Sequence, residues 1–335
     1  MRLAITLILG TFLTSCIALP ALDLRSQDSP TSLTTAPEAE GEPLRIWIPY
    51  VGQGDGTLFQ LPYGKTLLID AGPPAAGKNA LLPLLRKLGI SRIDALVITH
   101  YDLDHLGGVP SLLAGEDGAM GTGDDIAVSL AYDRGGVPWD NSPGYGDYLA
   151  ALEQGETSRH TLAAGDALDL DPGVKIHCVA ANGAVGDETK ILGQIDLSVP
   201  AYAGKENGAS VALLFEYANF RYLTAGDLTG GGMTDGFITP DVETLVGKLV
   251  GQVDVMHVNH HGSLSSSNEN FVKATKPKAV FIQAGKDNPY NHPASAVVER
   301  WQAVGGKIYS TKGEMAFSLE SKGNSFEIKA VQESH

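Results

Sequence analysis

The spacing of apolar residues along the chain predicts a mixture of strands and helices. Stretches typical of strands lie at residues 44–48, 57–61, 66–69, 95–99, 174–179, 210–216, 220–224, 253–258 and 279–283, with further strands after Lys307 and Ser325. Helical spacing of apolar residues predicts helices over 79–88, 241–250 and 294–303. Two stretches rich in Gly and Asp are expected to be loops, 115–125 and 133–147. Because strands and helices are mixed in both halves, the pattern predicts an α/β fold with two packed sheets flanked by helices.

The first residues have the pattern of an export signal. Met1-Arg2 supplies a positive charge, and residues 3–13 are apolar over the length of a signal-peptide core, which is too short to span a bilayer as a helix. The following Leu13-Thr14-Ser15-Cys16 resembles a bacterial lipobox. That resemblance implies cleavage before Cys16 and a diacylglyceryl anchor on Cys16. The alternative is an ordinary signal peptide with an incidental cysteine.

Three regions follow from this reading of the N-terminus. Residues 1–15 are predicted to be a lipoprotein signal peptide, and residues 16–43, rich in Pro, Ser, Thr, Ala and Glu, a lipidated cysteine with a disordered tether. Residues 44–335 are predicted to form the folded domain. We therefore expect an exported protein anchored to the cell envelope by lipid and facing the periplasm or the exterior. The anchor would lie in the outer membrane of a Gram-negative cell, because Ile17 and not Asp follows Cys16.

Composition narrows the classes of function. The formal net charge is -15, and no run of basic residues exceeds two. This excludes a long electrostatic footprint for tight, nonspecific binding to duplex nucleic acid. The second cysteine, Cys178, lies in an apolar strand and is expected to be a core residue and not a nucleophile. The sequence identifies no protein partner.

The strongest chemical signal follows the apolar strand at residues 95–99. Four side chains that can bind metals lie within six residues: His100, Asp102, Asp104 and His105. Imidazole and carboxylate together suit Zn²⁺, Mn²⁺ or Fe²⁺. Along an extended chain, Tyr101 and Leu103 are expected to point into the core and the alternate residues away from it. The alternative, capping of a helix, needs one such residue and not four.

This segment resembles the His-x-His-x-Asp-His signature of the metallo-β-lactamase superfamily, with Asp102 at the second position. The variant is similar to the soluble domain of DNA-uptake competence proteins of the ComEC type and their stand-alone relatives. Further segments match in the same order, at residues 51–55, 68–72, 206–210, 223–227, 253–263 and 288–293. The resemblance covers about residues 44–320. It implies a four-layer αββα sandwich and a metal-dependent hydrolase.

The resemblance also assigns metal ligands. They are His100, Asp102, Asp104, His105, Asp227 and His260. Asp227 follows an apolar strand, where one carboxylate can bridge two cations about 3.5–4 Å apart. Adjacent residues of an extended chain point to opposite sides, so only one of His260 and His261 is expected to ligate. By family position that residue is His260, with His261 near the substrate and His257 structural.

Other residues are expected to support the site. Asp70 would hold a ligand histidine by a hydrogen bond, and Asp55 would organise a nearby loop. Asn207 and Ser210 lie roughly where most two-metal members have a further histidine. The resulting richness in oxygen ligands shifts preference from Zn²⁺ toward Mn²⁺ or Mg²⁺ and leaves open whether one or two ions bind. His292 would contact substrate or shuttle a proton, and a surface His-Pro turn is the alternative.

These ligands imply hydrolysis through a metal-bound hydroxide. Asp102 or Asp104 would orient the water, and His261 or His292 would protonate the leaving group. The resemblance favours a phosphodiesterase or nuclease acting on nucleic acid or a small phosphodiester. Two alternatives are a hydrolase of small esters, amides or lactams and a non-enzymatic envelope lipoprotein that retains the fold. The near-complete ligand set argues against the last.

Overall fold

A computed structural model describes residues 41–234 and 236–331. Its strands, in chain order, are β1 (Leu44–Ile48), β2 (Thr57–Gln60), β3 (Thr66–Ile69), β4 (Arg92–Ile98), β5 (Ala127–Asp133), β6 (Ser158–Thr161), β7 (Lys175–Ala181), β8 (Ala184–Asp187), β9 (Lys190–Gln194), β10 (Ala212–Tyr217), β11 (Phe220–Thr224), β12 (Met233–Thr234), β13 (Phe237–Ile238), β14 (Val255–His257), β15 (Ala279–Ile282), β16 (Lys307–Ser310), β17 (Ala316–Ser321) and β18 (Phe326–Val331).

The α-helices are short and lie between the strands. They are α1 (Leu82–Lys87), α2 (Leu103–Leu106), α3 (Val109–Leu113), α4 (Tyr145–Gln154), α5 (Lys205–Gly208), α6 (Glu243–Val250), α7 (Glu269–Thr275) and α8 (Ser295–Ala303). A π-helical turn, Gly77–Leu81, leads into α1. Two 3-10 turns lie at Asn259–Gly262 and Thr311–Gly313.

The strands form two eight-stranded mixed sheets and a separate hairpin of β12 and β13. The first sheet has the order β18-β17-β1-β2-β3-β4-β5-β6, and the second has the order β16-β15-β14-β11-β10-β7-β8-β9. One apolar core contains residues of both sheets, and within it the rings of Phe59 and Phe215 stack 4.4 Å apart. Two outer cores join the first sheet to α1, α3 and α4 and the second sheet to α6, α7 and α8. The predicted four-layer αββα arrangement is confirmed.

Parallel pairing of strands brings together the loops that carry the candidate metal ligands. In the first sheet β3 and β4 are parallel, so their carboxyl ends lie side by side and carry Asp70 and His100. In the second sheet β11 and β14 are parallel, and their carboxyl ends lead to Asp227 and His260. Loops from both sheets therefore meet at one edge of the sandwich.

Some expectations for the chain ends lie outside the described residues. These are the signal peptide, the lipidated Cys16 and nearly all of the predicted tether. Within residues 41–234 and 236–331, no helix has the length and apolar character needed to cross a membrane. Cys178 is fully buried, and burial raises the pKa of its thiol, as expected for a core residue.

Candidate metal centre

The segment after β4 carries four of the predicted metal ligands: His100, Asp102, Asp104 and His105. Its extended part ends at Asp102, the residue that precedes the first turn of α2. His100 and Tyr101 are fully buried, whereas Leu103 is 38% exposed. The expected alternation therefore holds for Tyr101 and is wrong for Leu103, because a helical turn begins there and breaks the two-residue period.

Asp227 lies where loops of the two sheets meet, and it is buried. Its Oδ1 atom lies 3.2 Å from Nε2 of His105. Its Oδ2 atom lies 3.6 Å from Nε2 of His260 and 3.9 Å from Nε2 of His100. Imidazoles therefore face both oxygens of the carboxylate, which is the geometry that a bridging ligand needs. Bridging itself stays a prediction.

A compact group of ligand atoms surrounds Asp227. Asp55, His105, Asp227 and His261 each contribute one atom, and these atoms all lie within 4.8 Å of one another. Asp104 lies beside them, with Oδ2 3.3 Å from Nε2 of His261. Sequence reasoning placed Asp55 in a supporting loop, but the structure brings its carboxylate into this group. The sequence signal was the resemblance of residues 51–55 to a segment of the family, which did not make Asp55 a ligand.

His260 and His261 both face the cluster. Their φ angles are 50° and 52°, so the chain makes a left-handed turn at this pair. The turn is held by hydrogen bonds from His260 N to the Gly226 carbonyl and from Ser263 N to the His260 carbonyl. Nε2 of His261 lies 3.7 Å from Asp227, nearly the same separation as for His260. The expectation that the two rings point to opposite sides is wrong, because it assumed an extended chain. Which of them ligates stays a prediction.

Asp70 contacts the Nδ1 atom of the His105 ring. It has a φ of 57°, an uncommon conformation for a residue other than glycine and one found often at functional sites. Its carboxylate accepts hydrogen bonds from the amide and the hydroxyl of Thr99, at 2.8 and 2.7 Å. It also lies 2.8 Å from Nδ1 of His105. The contact expected of Asp70 is present, while its role in supporting a metal ligand stays a prediction.

The segment with Asn207 and Ser210 lies beside the same cluster. Nδ2 of Asn207 is 3.2 Å from Nε2 of His260. The hydroxyl of Ser210 accepts a hydrogen bond from the amide of Asp227 at 3.2 Å. Both residues therefore contact predicted ligands, and their supporting role stays a prediction.

Sequence reasoning missed a buried ion pair next to this segment. Arg134 and Glu206 are each about 2% exposed and are joined by two contacts, Nε to Oε1 at 2.8 Å and Nη2 to Oε2 at 2.7 Å. Glu206 also accepts hydrogen bonds from the amides of Tyr101 and Trp139. The pair therefore ties α5 to the loop that carries His100.

Two further histidines lie at the margin of the cluster. Nδ1 of His257 contacts the hydroxyls of Thr57 and Tyr222, and its Nε2 lies 3.7 Å from Asp55, which fits the structural role expected of it. His292 lies beside His260, with the two ring centroids 5.5 Å apart. Burial and the neighbouring imidazoles lower the pKa of His292 to about 4.

The electrostatics of the cluster are those of paired opposite charges. Burial opposes ionisation of Asp227, but the imidazoles of His261, His105 and His260 hold its pKa well below its usual range. Burial also opposes protonation of His105 and His261, yet neighbouring carboxylates, Asp227 first, raise the pKa of both well above the ordinary value. The carboxylates thus attract positive charge into a buried site. A divalent cation supplies the same charge and can replace the imidazole protons.

Buried polar atoms without hydrogen-bond partners give an independent test of whether a cation fits this site. Buried polar atoms normally have partners, because leaving one unpaired costs about 1–3 kcal/mol. Within the described part of the chain, several buried atoms at this site make no hydrogen bond: Nε2 of His100, His105 and His261, and Oδ1 of Asp55 and Asp227. All are atoms that ligate metals. The set of nitrogen and oxygen donors fits a divalent ion such as Zn²⁺, Mn²⁺ or Fe²⁺.

Comparison with protein families gives a match over the region that contains most of the cluster. A family model described as the metallo-beta-lactamase superfamily matches residues 49–286. The chain is 25% identical over 297 residues to ComE operon protein 3 of Bacillus subtilis, a match covering 83% of this chain and 33% of that protein. It is 28% identical over 276 residues to Competence protein ComA of Neisseria gonorrhoeae, covering 81% of this chain and 32% of that protein.

A third relative is named as a recombination protein. The chain is 24% identical over 265 residues to Recombination protein 2 of Haemophilus influenzae, covering 78% of this chain and 27% of that protein. The chain thus spans about a third of the length of the curated relatives it matches. The resemblance to the superfamily and to the competence proteins that the sequence motifs predicted is confirmed.

Proposed function

The chain belongs to the metallo-β-lactamase superfamily, and from that premise we propose that it is a metal-dependent phosphodiesterase that cleaves nucleic-acid strands. Its fold is that of the metal-dependent hydrolases in this superfamily, and a candidate metal site lies at one edge of its sheets. The observation that carries the proposal is the position of Asp227, whose two oxygens face ligand-type atoms from different loops.

We assign the residues that would hold the ions to the two sides of Asp227. On one side they are Asp55, Asp104, His105 and His261, and on the other His100, Asp102 and His260. When bound, divalent cations supply an activated water and neutralise the charge that develops on a phosphoryl oxygen. Each side has two imidazoles beside its carboxylates, a donor set that suits both Zn²⁺ and Mn²⁺.

The chain's own residues orient the water and the leaving group. The side chains of Asp102 and Asp104 are 37% and 32% exposed, so their carboxylates line the open side of the cluster. They can accept a hydrogen bond from the attacking water and take its proton. His261 is buried, whereas His292 is half-buried at the margin of the site, so we assign the contact with the leaving group to His292.

The choice of a nucleic-acid substrate rests on the relatives. One of them is named ComE operon protein 3, one a competence protein and one a recombination protein, and all match most of this chain. The net charge of -15 opposes long-range attraction of a polyanion. Bound cations would reverse the local field only at the cleft. We therefore expect catalysis to require metal both for chemistry and for substrate approach.

The test uses purified full-length protein with Mn²⁺ or Zn²⁺. The substrates are single-stranded DNA, bis-p-nitrophenyl phosphate, p-nitrophenyl acetate and nitrocefin. We expect cleavage of the two diesters and loss of that activity in Asp227→Asn. Cleavage of the ester or the lactam alone would replace the proposal with a small-molecule hydrolase. Stoichiometric metal binding without any turnover would favour an envelope-binding lipoprotein.

We extend the proposal to cellular location. The lipobox-like segment ending in Cys16 supports export and lipid anchoring to the envelope. Labelled palmitate should be incorporated into the wild-type chain in a bacterial host and not into Cys16→Ser. Labelling of both, or of neither, would reject the anchor without affecting the catalytic proposal.

A further inference from the structure

A row of aromatic rings leads from the surface to the candidate metal site. The Tyr290 side chain is 65% exposed, and its ring stacks on His292 with centroids 5.5 Å apart and an interplanar angle of 25°. The ring of His292 in turn lies 5.5 Å from that of His260 and 6.3 Å from that of His261. Because Tyr290 is largely exposed beyond His292, it offers ring surface next to the reaction site.

The loop that carries Tyr290 is held by hydrogen bonds. The Asn288 side chain donates to the carbonyls of Gly285 and His292, at 2.7 and 2.8 Å, and accepts from the amide of His292 at 2.8 Å. Nζ of Lys312 donates to the same His292 carbonyl at 2.8 Å. Single exposed aromatic residues are ordinary on protein surfaces. This one is distinguished because a hydrogen-bonded loop fixes it over a ring of the site.

Charge determines what such a ring would contribute. The exposed edges of the cluster are the carboxylates of Asp102 and Asp104, and the whole chain has a net charge of -15. A phosphate backbone gains little from this surface beyond the cations themselves. Stacking of a nucleobase on an aromatic side chain does not depend on net charge, and it needs a base that is free of its complementary strand.

The geometry points to a base-stacking subsite formed by Tyr290 on His292, which holds an unpaired nucleobase next to the scissile phosphate. This inference rests on the proposed function and adds to it the group by which the substrate is held. Tyr290 is then a specificity-determining residue, and most of its effect is on substrate affinity. Compounds with the same phosphates but no base should bind weakly.

The experiment compares two fluorescent oligomers of equal length and charge, an oligothymidylate and its abasic analogue. Both oligomers carry phosphorothioate linkages that resist cleavage, so fluorescence anisotropy can measure their binding to the full-length protein with Mn²⁺ present. We expect the oligothymidylate to bind about tenfold more tightly to wild type. The preference should disappear in Tyr290→Ala and persist in Tyr290→Phe. A matched control is Tyr63→Ala, because Tyr63 is 52% exposed in the turn at the opposite end of β3 from Asp70.

Two results would overturn the subsite. One is equal affinity of wild type for both oligomers, and the other is an unchanged preference in Tyr290→Ala with a native circular dichroism spectrum. The cleavage assay described above is separate from this measurement. Diester cleavage without a base preference would reject the subsite and keep the phosphodiesterase. A base preference lost in Tyr290→Ala without diester cleavage would keep the subsite and reject the phosphodiesterase.

Discussion

The carboxylate of Asp70 lies 2.8 Å from Nδ1 of His105, and this contact leaves Nε2 of the ring to face the candidate metal site. With Nδ1 engaged, the free Nε2 points toward Asp227, 3.2 Å away. Removing such a supporting carboxylate usually weakens metal affinity by about 10–100-fold. The pair therefore connects the first sheet, through Asp70, to the proposed ligands.

Replacing Asp70 by Asn should weaken Mn²⁺ and Zn²⁺ binding by about 10–100-fold, because the amide no longer fixes the orientation and basicity of His105. Competition with a fluorescent chelator measures the affinity. Asp94→Asn is the matched control, since Asp94 also accepts hydrogen bonds from a threonine but lies at the start of β4, away from the cluster. Equal affinities for wild type and Asp70→Asn would mean that the contact is only structural.

Asp104→Ala should abolish turnover and leave the fold largely intact. The side chain is 32% exposed and borders the cluster, so its loss removes a proposed ligand without opening the core. We expect a fall in kcat of at least about 100-fold, the scale of a lost acid–base group. Circular dichroism checks the fold, and Asp147→Ala, in the first turn of α4, is the control. A kcat within twofold of wild type would remove Asp104 from the site.

The buried pair of Arg134 and Glu206 should matter more for stability than any surface pair. Truncation of Glu206 to Ala leaves the guanidinium buried and uncompensated, so the free energy of unfolding should fall by about 3–5 kcal/mol. Glu269→Ala breaks an exposed pair with Lys273 on α7 and should lower the free energy of unfolding far less, because water screens that pair. Urea denaturation measures both. Similar losses in the two variants would contradict a special role for the buried pair.

Glu243 should make stability depend on pH. Burial raises the pKa of this carboxyl to about 7, above its ordinary value, although it accepts hydrogen bonds from Asn259, Ser267 and Asn268. The folded state therefore favours the protonated form, so the stabilisation is complete at low pH and is lost as the pH rises through 7. Glu243→Gln cannot titrate. Between about pH 5 and pH 8, wild type should lose about 2 kcal/mol relative to this variant.

Urea denaturation in EDTA at several pH values measures that difference, and groups common to both proteins cancel. A gap that stays constant with pH would show that Glu243 titrates near its unfolded value. A gap that moves in favour of wild type would show that the three hydrogen bonds stabilise the ionised form more than burial opposes it.

Sequence patterns predicted strands in both sheets but missed others, among them β5 and β6. β1, β3 and β11 occupy the residues expected, because buried strands need apolar side chains on one or both faces. No strand was predicted at β6, whose four residues are all exposed at the sheet edge, so no apolar pattern identifies it. α4 begins inside a stretch expected to be a loop, where glycines and aspartates mask its few apolar positions.

The candidate site was predictable by residue type but not by detailed geometry. Clustering of metal-binding side chains after one strand pointed to His100 to His105, and the resemblance to the superfamily pointed to Asp227. The orientations of His260 and His261 depend on a left-handed turn that is held in part by a long-range hydrogen bond from His260 N to the Gly226 carbonyl. The proximity of Asp55 likewise depends on how two sheets pack. Such distances between remote segments cannot be obtained from local spacing.

The metal site is tested most directly by anomalous diffraction from crystals of the protein grown with saturating Mn²⁺. We expect an anomalous peak within coordination distance of Asp227 and His105, and its loss in crystals of Asp227→Ala. A second peak near His100 and Asp102 would establish the bridging role of the carboxylate. Absence of any peak at this cluster, with His105 hydrogen-bonded directly to Asp227, would contradict the metal site and the enzymatic function built on it.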